Sequence, residues 1–176
     1  MTSLIQQALA PWHEFYALLG AASATLLGLQ FVAASVGTGM FSRDRMAPLR
    51  VFLSATVVHF ASILAICLIM LAPIRRSALV GLIVLGCGLF GVAYCAVAWR
   101  SSVREGLHTR IDREDRIWYV LLPVIGYLVE SSAAITLAVW PDTGAVILAL
   151  SVGLLLLSAI HNAWDITVWS VTRRRD

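Results

Sequence analysis

Five apolar runs, at residues 12–36, 50–73, 78–99, 117–140 and 145–170, take up most of this chain. Each is long enough to cross the ~30 Å hydrocarbon core of a bilayer as a helix. Backbone groups in lipid must find their hydrogen bonds within the segment itself, so runs of this length can only become helices packed side by side. Hydrophobic residues make up 60% of the chain and charged residues 13%, with a mean hydropathy of +0.86, far from the balance of a water-soluble domain. The expected fold is an all-α integral membrane protein of five transmembrane helices. Residues 1–176 form one membrane domain in this reading, because neither the loops nor the termini are long enough to build a second core.

Residues 2–10 put Leu4, Ile5 and Leu9 on one side of a helix and Gln6 and Gln7 on the other, which predicts a short interfacial helix before the first span. No positive charge precedes its first apolar residues, so a cleavable signal peptide is not expected. Pro11 suits the first turn of the next helix, where a missing N–H costs nothing. All thirteen basic residues are Arg. Three fall in the polar break at 37–50, five in the segment 100–116 and three in the tail, against only Arg75 and Arg76 at the other end of the bundle. The positive-inside rule then predicts an outer N-terminus, a cytoplasmic C-terminus and a cytoplasmic segment at 100–116, in a bacterial-type inner membrane. Trp12 and Trp140 would mark the outer interface, and Trp99, Trp118 and Trp169 the inner one. A net charge of +3, carried by Arg residues flanking apolar runs, gives no nucleic-acid surface.

Two strips of small residues predict close helix contacts, within the chain or between copies of it. Gly20, Ala24 and Gly28 repeat at four-residue spacing in the first span, and Gly81, Gly88, Gly91 and Cys95 share a face of the third. The cysteines Cys67, Cys87 and Cys95 show no metal-binding spacing and read as buried thiols. Pro123 predicts a kink in the fourth span, and Pro141-Asp142-Thr143-Gly144 predicts a turn whose Asp142 or Thr143 caps the fifth.

Polar side chains within the runs are few and patterned. Ser23 and Gln30 lie seven apart on the first span, and Thr56, His59 and Ser62 share a face of the second. The fourth carries Tyr127 and Glu130, and the fifth carries a stripe of Ser151, Ser158, His161, Asn162 and Asp165. With inner boundaries at Val36, Arg50, Ile117 and Ser170 and ~1.5 Å of rise per residue, His59 and His161 fall about 13 Å deep, Glu130 about 20 Å, Gln30 about 9 Å and Asp165 about 7 Å. These groups are expected to share one slab of the membrane. His161 and Asp165, at i and i+4, are expected to bond, with the carboxylate accepting. A carboxylate facing lipid costs at least about 2.5–3.5 kcal/mol, so Glu130 is expected to face the bundle interior.

Three classes of function fit these residues. The first is a homo-oligomeric channel or ion pathway, carrying protons or small ions, lined or gated by His59, Glu130, His161, Asn162, Asp165, Gln30 and Tyr127. In the second, the same groups only bond helices together in a structural or regulatory membrane subunit without transport activity. In the third, His59 and His161 ligate a haem or metal in a redox protein. An enzyme is not expected, since the chain has no nucleophile elbow, HExxH sequence, phosphate-binding glycine loop or acidic cluster for magnesium. The pathway is the preferred expectation because ionisable residues within a membrane are functional by default. It implies no cofactor, and its partners are the lipid bilayer, a small ion or proton and further copies of the chain.

Overall fold

A computed structural model of the chain describes residues 4–37, 43–74, 76–104 and 113–172, with side chains placed for all of these except 6, 36, 37, 43–54, 113, 115 and 169–172. Several features of the topology argument lie outside the described residues: the middle of the 100–116 segment, the Arg-rich tail, Arg75 and the side chains of Arg43, Arg45, Arg50, Arg113 and Trp169.

The described residues are helical apart from 72–74, Arg76 and Trp140, with no strand among them. The chain runs through α1 (Leu4–Leu9), a 3-10 turn (Ala10–Trp12), α2 (His13–Gly37), α3 (Arg43–Leu71), α4 (Ser77–Arg104), α5 (Arg113–Arg116), a π-helical segment (Ile117–Leu121), α6 (Leu122–Val139) and α7 (Pro141–Thr172). Four stretches are long and apolar enough to cross a membrane: Gln7–Ser35, Ser77–Arg104, Ile117–Val139 and Pro141–Val168. The apolar part of α3 with described side chains, Ala55–Leu71, is shorter. The protein is a multi-pass helical membrane protein.

The helices outrun the apolar runs that seed them. α3 begins at Arg43, inside the expected first break, and α4 continues to Arg104. An α-helix satisfies its own backbone, so leaving the hydrocarbon gives it no reason to stop. The turn expected at 141–144 is instead the first turn of α7, so neither Asp142 nor Thr143 precedes the helix as its cap. Pro141 occupies its first position, where the missing N–H is harmless. The whole reversal falls on Trp140 (φ −130°, ψ 81°). Such a short hairpin needs Gly144, because a Cβ there would sit 2.5 Å from the Leu137 nitrogen.

Neighbouring helices pack antiparallel. α2 lies on α3, with Gly20 against Cys67 and the Ser23 hydroxyl donating to the Phe60 carbonyl at 3.1 Å. α4 lies on α6, α6 on α7, and α3 touches both α4 and α7. Helices α3, α4, α6 and α7 therefore surround one interior, and α2 covers α3 from outside. The short helix expected at the start is α1, whose Ile5 and Ala8 are buried and which packs against α7; the stretch apolar enough to cross a membrane already begins within it, at Gln7.

Three glycines of α4, Gly81, Gly88 and Gly91, serve α6, whereas Gly86 faces away from it. A Cβ at Gly81 would lie 3.0 Å from the Ala134 carbonyl, one at Gly88 would strike the Ser131 hydroxyl, and one at Gly91 would fall on the Tyr127 ring. This strip is used within the chain and is not left for another subunit. The strip on α2 divides: Gly20 packs on Cys67, whereas Ala24 is exposed and a Cβ at Gly28 would meet nothing within 4 Å. A spacing of four residues drifts ~40° per step around a 3.6-residue helix, so Gly28 has turned away from the contact Gly20 makes.

Candidate functional site

Glu130 on α6 is wholly buried, and neither of its carboxylate oxygens has a hydrogen-bond partner. α6 aims it inward along a continuous buried stripe of Pro123, Gly126, Tyr127, Glu130, Ala133, Ala134 and Leu137. One turn earlier, the Tyr127 hydroxyl and His59 Nδ1 of α3 are 2.8 Å apart, a bond that spans the interior from one helix to another. Ser62 of α3 lies near the same tyrosine. The remaining His59 nitrogen, Nε2, is buried without a partner. The Cys87 thiol of α4 lies within electrostatic range of Glu130. Glu130, Tyr127 and His59 thus gather an acid, a phenol and an imidazole in the interior. Two of the three hold buried atoms with bonding capacity unused.

A second polar cluster sits at the π segment that precedes α6 and has a different origin. In a regular α-helix the Trp118 carbonyl would accept from the N–H of Leu122. In the π segment that N–H goes instead to the Ile117 carbonyl. The next residue, Pro123, has no N–H to offer. The orphaned Trp118 carbonyl is taken up by α7, where Ser158 Oγ donates at 2.9 Å and Asn162 Nδ2 at 3.2 Å. Tyr119 returns a bond from its hydroxyl to the Asn162 carbonyl at 3.1 Å. The kink expected from Pro123 is therefore expressed as a π segment with its spare carbonyl bonded across to α7.

His161 belongs to this second cluster. Its ring stacks on Trp118 with centroids 3.9 Å apart and planes 8° from parallel. The expected His161–Asp165 hydrogen bond does not form; Nδ1 of His161 is buried with no partner, and Asp165 is half-buried on the next turn. Stacking on the indole fixes the ring plane, and that orientation does not bring the imidazole onto the carboxylate.

His59 and His161 also do not share a level. One bonds Tyr127 and the other stacks on Trp118, and these partners lie nine residues apart along the same helical segment, roughly 13 Å at ~1.5 Å per residue. The single slab expected from the sequence is two separate clusters. The depth estimate assumed that all helices end in one plane, but α7 runs on to Thr172, beyond the level at which α6 begins. The two histidines are accordingly not placed to ligate one metal or haem iron between them. Among the described residues, no three His, Cys, Asp or Glu side chains group closely enough to hold a metal ion.

Gln30 is buried on α2, outside the group around Glu130, and Thr56 is buried on the same face of α3 as His59. The Trp118 carbonyl is the buried polar group that residue counting overlooks. Its signal is Pro123, whose missing N–H implies an orphan carbonyl four or five residues earlier. The chain matches no known protein family, no curated protein and no solved structure.

Proposed function

We propose that this protein is a membrane pathway for protons or small ions, with the Glu130 carboxyl as its central cation-binding group and His59 and Tyr127 as its neighbours in the pathway. The observation that carries the reading is the unpartnered carboxyl itself. A buried carboxylate without a hydrogen bond or counter-charge is tenable only when a cation, of which the proton is the smallest, is bound to it. Binding and release of that cation is the elementary step of transport. Five spans, an outer N-terminus and a cytoplasmic C-terminus in a bacterial-type inner membrane complete the reading, on the strength of the Arg distribution. The narrow interior that one bundle encloses favours a homo-oligomer. No catalytic step is part of it.

The test is flux into proteoliposomes driven by an imposed proton or cation gradient. Wild-type protein should conduct, and Glu130→Gln should lower the flux at least about tenfold, as expected for losing the one group that binds the ion. Absence of flux in the wild type, or unchanged flux in an intact Glu130→Gln variant, refutes the proposal. A second reading, a structural or regulatory subunit, draws on the bonds from Ser158 and Asn162 to Trp118, since these polar groups act as interhelical fastening. It gives no account of Glu130.

A further inference from the structure

The four helices around the interior divide into a polar half and an apolar half, and Glu130 lies at the boundary. The register of α6 against its neighbours fixes which residues lie on each side: Gly126 meets Leu155, Gly144 meets Leu137, Gly88 meets Ser131 and His59 meets Tyr127. Toward the end where α3 and α6 begin, the buried side chains include the polar His59 and Thr56 of α3, Tyr127 of α6, and Ser158 and Asn162 of α7, beside the apolar Phe60 of α3 and Leu155 and Ala159 of α7. Toward the opposite end they are Ile63, Ile66 and Met70 of α3, Val84 and Val80 of α4, Ala133, Ala134 and Leu137 of α6, and Leu148 and Ala145 of α7.

The unsatisfied atoms follow the same division. Both Glu130 oxygens, His59 Nε2, His161 Nδ1 and Asn162 Oδ1 lie at the boundary or on its polar side. Among the described residues, the other buried side-chain atom without a partner is the Tyr16 hydroxyl, which lies near Cys67 at the contact of α2 with α3, away from the α6 stripe. Buried polar atoms with spare bonding capacity are where water enters a protein, and an interior of aliphatic side chains stays dry. From Glu130 to the end of α6 at Val139 is roughly 13 Å of helix at ~1.5 Å per residue, with no buried polar side chain on α6 itself.

We infer that Glu130 is the blind end of a half-channel: a proton reaches it only from the end where α3 and α6 begin, and the apolar half of the interior closes the way beyond. Under the Arg distribution this open end is the cytoplasmic one. The ligand is a proton and not a metal cation. A hard metal ion requires about six oxygen ligands, whereas the Glu130 oxygens have no polar atom within bonding distance. Transport then requires the apolar half to rearrange, and without that movement the site loads and unloads on one side only. The inference rests on taking Glu130 as the functional carboxyl, but its test reads water access and not flux.

The experiment uses full-length protein in proteoliposomes, with Cys67, Cys87 and Cys95 replaced by Ala and single cysteines introduced on either side of Glu130. Thr56→Cys and Ser62→Cys sample the polar half, and Ala133→Cys and Ala134→Cys the apolar half. A small, charged, membrane-impermeant methanethiosulfonate is applied to one face at a time. It reacts with thiolates, which form only where water reaches. At least one polar-half cysteine should react from the face at which α3 begins, about tenfold faster or more than from the other face, and the apolar-half cysteines should react from neither. Labelling of Ala133→Cys or Ala134→Cys from the opposite face, or failure of both polar-half cysteines to react, overturns the inference. If the labelling pattern holds while wild-type flux is absent, only the transport proposal falls. If flux is present with water on both sides of Glu130, only the half-channel falls.

Discussion

The sharpest consequence of the packing concerns two glycines that the sequence treats alike. A Cβ placed on Gly91 would overlap Cδ1, Cε1 and Cγ of the Tyr127 ring, whereas one on Gly28 would touch nothing within 4 Å. Replacing either by Ala gains up to about 1 kcal/mol of helix propensity. At Gly91 this gain is opposed by an overpacking cost of about 1–3 kcal/mol. The displaced ring also surrenders its 2.8 Å bond to His59, worth about 0.5–1.5 kcal/mol. Gly91→Ala should therefore destabilise the protein by about 1–3 kcal/mol net, with Gly28→Ala neutral or slightly stabilising. Reversible unfolding in mixed micelles, followed by Trp fluorescence, measures both. Removing the ring should abolish the penalty, so Gly91→Ala should cost nothing further in a Tyr127→Ala background. Equal midpoints for the two single variants, or a Gly91 penalty that survives loss of the ring, would refute the contact between α4 and α6 described above.

Glu130→Met should stabilise the fold by about 1–4 kcal/mol while abolishing flux, because an apolar side chain of similar volume replaces a buried group with no partner; a destabilised variant would mark Glu130 as a fastener between helices. Asn162→Leu combined with Ser158→Ala should cost about 1–3 kcal/mol by leaving the Trp118 carbonyl buried and unbonded. Adding Pro123→Ala should recover part of that loss, since the new N–H can reach the same carbonyl, and thermal melts of the two variants beside the wild type decide the point. Reporter fusions or sided labelling should place the C-terminus and residues 100–116 in the cytoplasm and Asp142 outside. A cytoplasmic Asp142 would reverse the direction of the half-channel without altering its division into two halves.

The class of the molecule was legible from the apolar runs alone, because lipid leaves the backbone no alternative to helices and the runs set where those helices lie. Thr56 with His59, and Tyr127 with Glu130, were legible too, since residues three apart on a helix share a face whatever surrounds it. Arg positions carried the topology argument for a similar reason: each depends on its own neighbourhood in the sequence and not on contacts. Everything that depends on how one helix sits against the next lay beyond that reach. The sequence grouped His161 with Asp165 by spacing along α7, but a stacking partner on another segment, Trp118, took the ring. It put His59 and His161 at one depth, but helices of unequal overhang separated them. Of two similar glycine strips, one is consumed by α6 and the other only begins against α3. The division of the interior around Glu130 is also a product of register, since it needs α3, α6 and α7 to present their polar residues on the same side of one level. Periodicity sets which face a residue occupies, and interhelical register, decided by side chains meeting across the bundle, sets what that face meets.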